Sequence, residues 1–190
     1  QARLGKYQAR LAAIGALGDV GDERAIEELI ELLGDDDPDV ARAASRAVLA
    51  RDVDYASDRL ADALASPNRR IAETAAAVLV EMGPEAVEPL MSQLTNLSAQ
   101  ARRLAVESLG AVGDESVVPA LLPLLETDPQ AEVRVAVLEA AARLGGELVP
   151  FALRRASQGD PDWFVRARAY ALLAQSGGPE TAEFLLAALA

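Results

Sequence analysis

Cysteine and histidine are both absent from the 190 residues. Their absence removes thiolate and imidazole from the nucleophiles, general bases and metal ligands this chain can offer. Disulfides are excluded with them, so cysteine usage says nothing of redox compartment. Lysine occurs once, at Lys6, and with the abundance of alanine this reads as the coding bias of a high-GC bacterium. Aromatic residues make up 4% of the chain against 51% hydrophobic residues, which leaves Ala, Leu and Val to build a core of thin, close helices. No apolar run approaches the roughly 20 residues of a membrane span, and no signal-peptide pattern precedes the first helical stretch. The sequence opens at Gln1 without an initiator Met and inside a helical pattern, as an excised or processed segment would. A cytoplasmic location is expected.

Acidic residues number 30 and basic residues 18, a net charge of -12. That field repels a phosphate backbone unless a local basic stripe overcomes it, and the arginines are instead spread one or two per repeat. Nucleic acid is therefore not an expected partner.

The repeats are marked by arginine. Arg10, Arg42, Arg102, Arg134 and Arg166 recur at multiples of about 30 to 32 residues, with the missing member at Ala72. Around them, apolar or small residues fall at -1, +3, +7 and +10, as in Ala101, Ala105, Leu109 and Val112 or Val133, Val137, Ala141 and Leu144. At 100° per residue these positions share one helical stripe. Asp37-Pro38, Ser66-Pro67, Asp128-Pro129 and Asp160-Pro161 read as helix starts, with a capping side chain followed by proline where its missing N–H costs nothing. Gly21, Gly83, Gly113, Gly145 and Gly177 read as left-handed helix ends. A second helix follows at once, from Asp22, Pro84, Asp114 or Pro179, with paired apolar residues such as Val118, Leu121, Leu122, Leu124 and Leu125. Each hairpin of about 30 residues is too short to be stable alone and is expected to stack on its neighbours.

The run Ala105-Val106-Glu107-Ser108-Leu109-Gly110-Ala111-Val112-Gly113-Asp114, with Val118-Pro119 and Leu124-Leu125 after it, resembles the short HEAT repeat of the phycobilisome-lyase HEAT-like class. The resemblance extends from about Tyr7 to Ala190 as six units. It implies an all-α solenoid of two-helix repeats in a right-handed superhelix, one domain over residues 1–190 with units at about 1–37, 38–66, 67–97, 98–128, 129–160 and 161–190. The second unit departs most, with Val53 at the terminal-glycine position and Arg46 and Asp52 at usually apolar sites. The resemblance also implies a structural ladder in which Arg42, Arg134 and Arg166 bond to Asp37, Asp128 and Asp160 or to their equivalents next door.

Positions +1, +5 and +8 lie opposite the apolar stripe and are expected to line the concave side. They are rich in alanine (Ala43, Ala47, Ala50, Ala77, Ala142, Ala167, Ala171, Ala174), which predicts tight curvature. Glu73, Arg103, Glu107, Glu139 and Arg143 interrupt this surface, with Arg168 and Tyr170 beyond. They are candidates for contacting a polar protein segment, weighed against ordinary solvation and weak surface ion pairs. Trp163 and Phe164 replace polar residues of the other units and mark either an interaction hot spot or packing that closes the final hairpin. The run Glu183 to Leu189 is apolar on more than one side, which suits a further neighbour or self-association. Asp35-Asp36-Asp37-Pro38-Asp39 lacks the spacing of a calcium loop and is read as helix-start electrostatics, so neither metal nor cofactor is expected.

The expected function is a non-catalytic scaffold that binds a protein partner through its concave face or C-terminal end. Two alternatives stand beside it. The family resemblance implies a bilin lyase-like or chaperone-like subunit assisting pigment attachment, and the architecture alone would suit a structural spacer or oligomerisation module.

Overall fold

A computed structural model describes residues 2–20, 22–50 and 53–188, and the described residues hold helices and no strand. Gln1, the expected glycine stop at Gly21, the polar position at Asp52 and the last apolar residue, Leu189, lie outside them. The chain divides into two compact units, Gln1–Ser108 and Leu109–Ala190.

The first unit alternates long first helices with second helices: α1 (Ala2–Val20), α2 (Glu23–Leu32), α3 (Pro38–Leu49), α4 (Val53–Ala63), α5 (Arg69–Met82) and α6 (Val87–Ser92). It also holds most of α7 (Ala99–Val112). Within it α1 packs on α3, α2 on α3 and α4, and α4 on α5 and α6. The buried residues are almost all aliphatic, among them Leu29, Leu33, Val40, Leu60, Leu64, Leu79 and Leu90. Each fully buried leucine contributes about 1.5–3 kcal/mol, which short helices need from their neighbours.

The second unit contains α8 (Val118–Leu121), α9 (Leu124–Thr127), α10 (Ala131–Leu144), α11 (Val149–Gly159), α12 (Trp163–Ser176) and α13 (Pro179–Ala187). Its core gathers Val118, Leu138, Val149, Leu153, Val165, Ala169 and Leu173. α10 and α11 both pack on α12.

First helices stop where the backbone reverses sign: Gly83, Gly113, Gly145 and Gly177 have φ between +67° and +90°, which an L side chain rarely adopts. α3 is the exception, ending on Ala50 in the right-handed region before α4 begins at Val53. Helix starts differ from the sequence expectation in three of the four cases. Only Asp37-Pro38 opens its helix directly, with the Asp37 carboxylate accepting from the Asp39 amide. Elsewhere the helix begins two residues later, capped by Asn68 or Asp162 or preceded by Gln130. Ser66, Asp128 and Asp160 instead accept from the amide two residues on (Asn68, Gln130 and Asp162), forming the turn that precedes the cap.

The same comparison corrects the register of α3. Buried Val40, Ile71, Ala101, Val133 and Val165 are equivalent, so the residue matching Arg134 is Ala41 and Arg42 lies one place beyond. Asp35 takes the turn position, accepting from the Asp37 amide at 2.9 Å. The shift also buries Ala47, expected on the open face, against Gly18 of α1.

Second helices of the middle units are interrupted. Gly83–Ala86 and Glu115–Val117 are 3-10 turns, and Pro123, which has no N–H to donate, separates α8 from α9. Backbone amides of Val118–Thr127 should therefore exchange with solvent well ahead of those of α10, whose ladder is unbroken. Equal protection of the two segments by hydrogen-exchange mass spectrometry would contradict this.

Candidate functional site

Three of the residues expected to contact a partner come together in the first unit. Glu73 on α5 and Arg103 and Glu107 on α7 line one shallow groove of about 270 Å³, floored by Ala76, Ala77, Val80 and Leu104. Their helical spacing makes two ion pairs along its walls: Arg69 Nε donates to Glu73 at 2.7 Å and Arg103 Nη1 to Glu107 at 2.6 Å. All four side chains remain partly exposed, so each pair contributes little to stability and can exchange its partner.

The other candidates are placed differently. Glu139 on α10 accepts from Arg168 Nε of α12 at 2.7 Å, linking successive repeats. Arg143 is exposed near the end of α10. Tyr170 is half-buried beside Phe184, ring centroids 6.2 Å apart, and Arg154 stands 5.7 Å over the Phe184 ring. Tyr170 thus helps seat the last hairpin. Trp163 and Phe164 are 69% and 52% exposed and meet edge to face at 5.8 Å, so they pack on each other in the first turn of α12 and keep most of their surface in solvent.

The expected ladder residues divide by geometry. Arg134 Nε and Nη2 donate to the two Asp160 carboxylate oxygens at 2.8 and 2.7 Å, while Nη1 donates to the Asp128 carbonyl at 3.0 Å. Arg134 and Asp160 side chains are only 7% and 3% exposed. Burial pushes the Asp160 carboxyl up, but the Arg134 hydrogen bonds, the Asp162 amide and the guanidinium charge outweigh it and hold the group below its ordinary value. Arg166 donates to the carbonyls of Asp160 and Pro161 at 2.8 and 3.0 Å, not to a carboxylate. Arg42, displaced by the α3 register, bonds Asp39 at 3.0 Å while Asp37 serves as the cap. The inter-repeat contact is made at that end by Arg10, the first of the periodic arginines, and Asp35, which holds the turn position that Asp160 holds for Arg134.

A larger groove, about 460 Å³, escapes the reading of the repeats. It lies between α9 and α11 and is lined by Leu122, Leu125, Leu148, Phe151, Ala152 and Ala156, with the Arg155–Glu126 ion pair at 2.8 Å on its rim. The available signal was Phe151, which follows Val149-Pro150 where the preceding repeat has Ala120 after Val118-Pro119. Among the described residues, no cluster of Asp or Glu is arranged to hold a metal ion, and no helix is long and apolar enough to cross a membrane.

Helical hairpins repeated with buried residues 30 to 32 apart, glycine-stopped first helices and an inter-repeat Arg–Asp pair are matched by a family model described as HEAT repeats, over residues 6–50, 57–142, 87–174 and 118–190. The chain belongs to the HEAT-repeat family. Among sequence relatives of this HEAT protein is the phycocyanobilin lyase subunit beta of Thermosynechococcus vestitus, 32% identical over 83 residues. That alignment spans 44% of this chain and 39% of the relative, well under two thirds of its length. Two solved structures share the fold. The complex of CpcE and CpcF of phycocyanin lyase from Nostoc sp. PCC7120 matches with a TM-score of 0.57 at 22% identity, covering 80% of this chain and 99% of that one. Human deoxyhypusine hydroxylase in complex with glycerol matches with a TM-score of 0.52 at 23% identity, covering 87% and 78%. At these identities the two structures establish the α-solenoid fold, and the HEAT fold alone assigns no chemistry.

Proposed function

We propose that this HEAT protein is a non-catalytic scaffold whose hairpins act as one array over residues 1–190 and bind another protein on the open face of the first helices. The observation carrying the reading is the α5–α7 groove, where Glu73, Arg103 and Glu107 stand over an alanine floor. Small residues let a partner backbone approach closely, and partly exposed ion pairs offer charges of both signs to a polar segment. The carboxylates of the groove are already engaged, Glu73 with Arg69 and Glu107 with Arg103, which supports recognition of a polar segment over bond-making chemistry.

Affinity capture from source cells tests the reading. Bait carrying Arg103→Glu and Arg143→Glu should lose a partner that the wild-type chain retains, with stability changed by less than about 1 kcal/mol because both side chains are at the surface. Retention of that partner by the folded double variant would end the assignment.

A second reading follows from the 32% identical lyase subunit: this chain assists attachment of a bilin pigment to a protein. Mixing it with phycocyanobilin distinguishes the two. The scaffold reading expects an unchanged visible absorption spectrum, and a shifted, intensified band would favour the pigment-handling subunit.

A further inference from the structure

In the first unit the second helices pack side by side, α2 on α4 and α4 on α6. In the second unit α11 packs chiefly on α12, and the groove opens between it and α9. Its apolar walls are not closed by the protein's own side chains: Phe151 and Leu148 are 67% and 53% exposed. Large exposed apolar residues around a concavity of this size are the usual mark of an interaction site.

Charge identifies what would cover it. At Leu148 the groove meets a second depression, lined by Glu115, Glu147, Pro119 and Gly146. Both glutamates are exposed, and among the described residues neither has an ion-pair partner. Glu126 on the opposite rim is already held by Arg155. The surface therefore reads as an apolar trough with uncompensated negative charge at one end, on a chain of net charge -12.

We propose that the α9–α11 groove docks a basic amphipathic segment of another protein. Its apolar side chains lie along Phe151, Leu122 and Leu125, and lysines or arginines at one end meet Glu115 and Glu147. An apolar stripe of i, i+3, i+4 and i+7 residues fits a groove between helices, and opposite charge fixes its direction and speeds its capture. The assignment is separate from the α5–α7 groove, and reversing charge at Arg103 leaves this binding unchanged.

The test uses the full 190-residue chain and a labelled synthetic helical peptide with leucines at that spacing and lysines at one end, followed by fluorescence anisotropy. Two controls are a peptide of identical composition with the leucines scattered and one with glutamate in place of lysine. The amphipathic basic peptide should bind at least about tenfold more tightly than either control. Phe151→Asp should weaken it about tenfold or more, and Glu115→Gln with Glu147→Gln should weaken it several-fold and flatten its salt dependence. These residues are exposed, so unfolding midpoints should stay close to wild type. Equal binding of the scattered peptide, or undiminished binding by Phe151→Asp, overturns the proposal. It is also overturned if the peptide fails to bind while Phe151→Asp abolishes either self-association in light scattering or enhancement of a small apolar dye, which would assign the groove to a second copy or a small molecule.

Discussion

Arg134→Ala should destabilise the protein by about 3–5 kcal/mol, because it leaves the Asp160 carboxylate, 3% exposed, without its counter-ion. At roughly 2–4 °C per kcal/mol for a chain of this size, the unfolding midpoint should fall by on the order of 10 °C. Arg166→Ala supplies the contrast. It removes only hydrogen bonds to two backbone carbonyls from a partly exposed arginine, and about 1 kcal/mol is expected. Replacing both members of the buried pair with neutral groups, Arg134→Met with Asp160→Asn, should be milder than Arg134→Ala. No isolated charge remains in that double variant, and the carboxamide oxygen introduced by Asp160→Asn can still accept from the Asp162 amide. If Arg134→Ala and Arg166→Ala shift the melting temperature equally, the buried pair has no special role. Acid should act on the same contact. The folded Asp160 carboxyl titrates below its ordinary value of 3.8, so its contribution is complete well above that pH and disappears as pH falls through the lower folded value. The stability gap between wild type and the neutral double variant should accordingly narrow in acid.

Gly110→Val should be the next most damaging change. Glycine in a helix interior ordinarily costs about 1 kcal/mol relative to alanine, so propensity alone predicts stabilisation on substitution. Geometry reverses the sign: a Cβ at Gly110 would stand 2.8 Å from Ala140 Cβ and 3.0 Å from its Cα. Backbone and a methyl group cannot rotate aside, so α7 and α10 must separate. Overpacking of this kind costs about 1–3 kcal/mol, with valine at the upper end and alanine near the lower. Ala140→Gly should recover part of the loss in Gly110→Ala. Gly15 of α1 has nothing within 4 Å of its Cβ position, and Gly15→Ala should therefore stabilise by about 0.5–1 kcal/mol. A thermal series in which Gly110→Ala and Gly15→Ala both stabilise would refute the close-approach argument.

The architecture was legible because its signals are local and repeated: a 3.6-residue apolar stripe, glycine after it, and a period of about 31 residues. Details that depend on neighbours were less so. Asp-Pro pairs announce a turn, but whether the helix begins there or two residues later depends on which side chain reaches the first free amides. In α3 the arginine stands one place later than Arg134 does in α10, because Ala41 fills the equivalent position, a slip that counting arginines conceals and the burial of Val40 reveals. Glu73, Arg103 and Glu107 could be grouped because their positions repeat on successive first helices. The exposure of Phe151 could not be foreseen, since it depends on how far α11 stands from α9.

Pro123 gives that last arrangement a mechanical character. One bank of the α9–α11 groove is a continuous rod of about three turns, and the other is two single turns joined at a residue that cannot donate a hydrogen bond. The two banks therefore differ in compliance, and a guest bulkier than the resting width would be accommodated by yielding on the α8–α9 side. Such a site would tolerate sequence variation among its guests better than one built between two rigid rods.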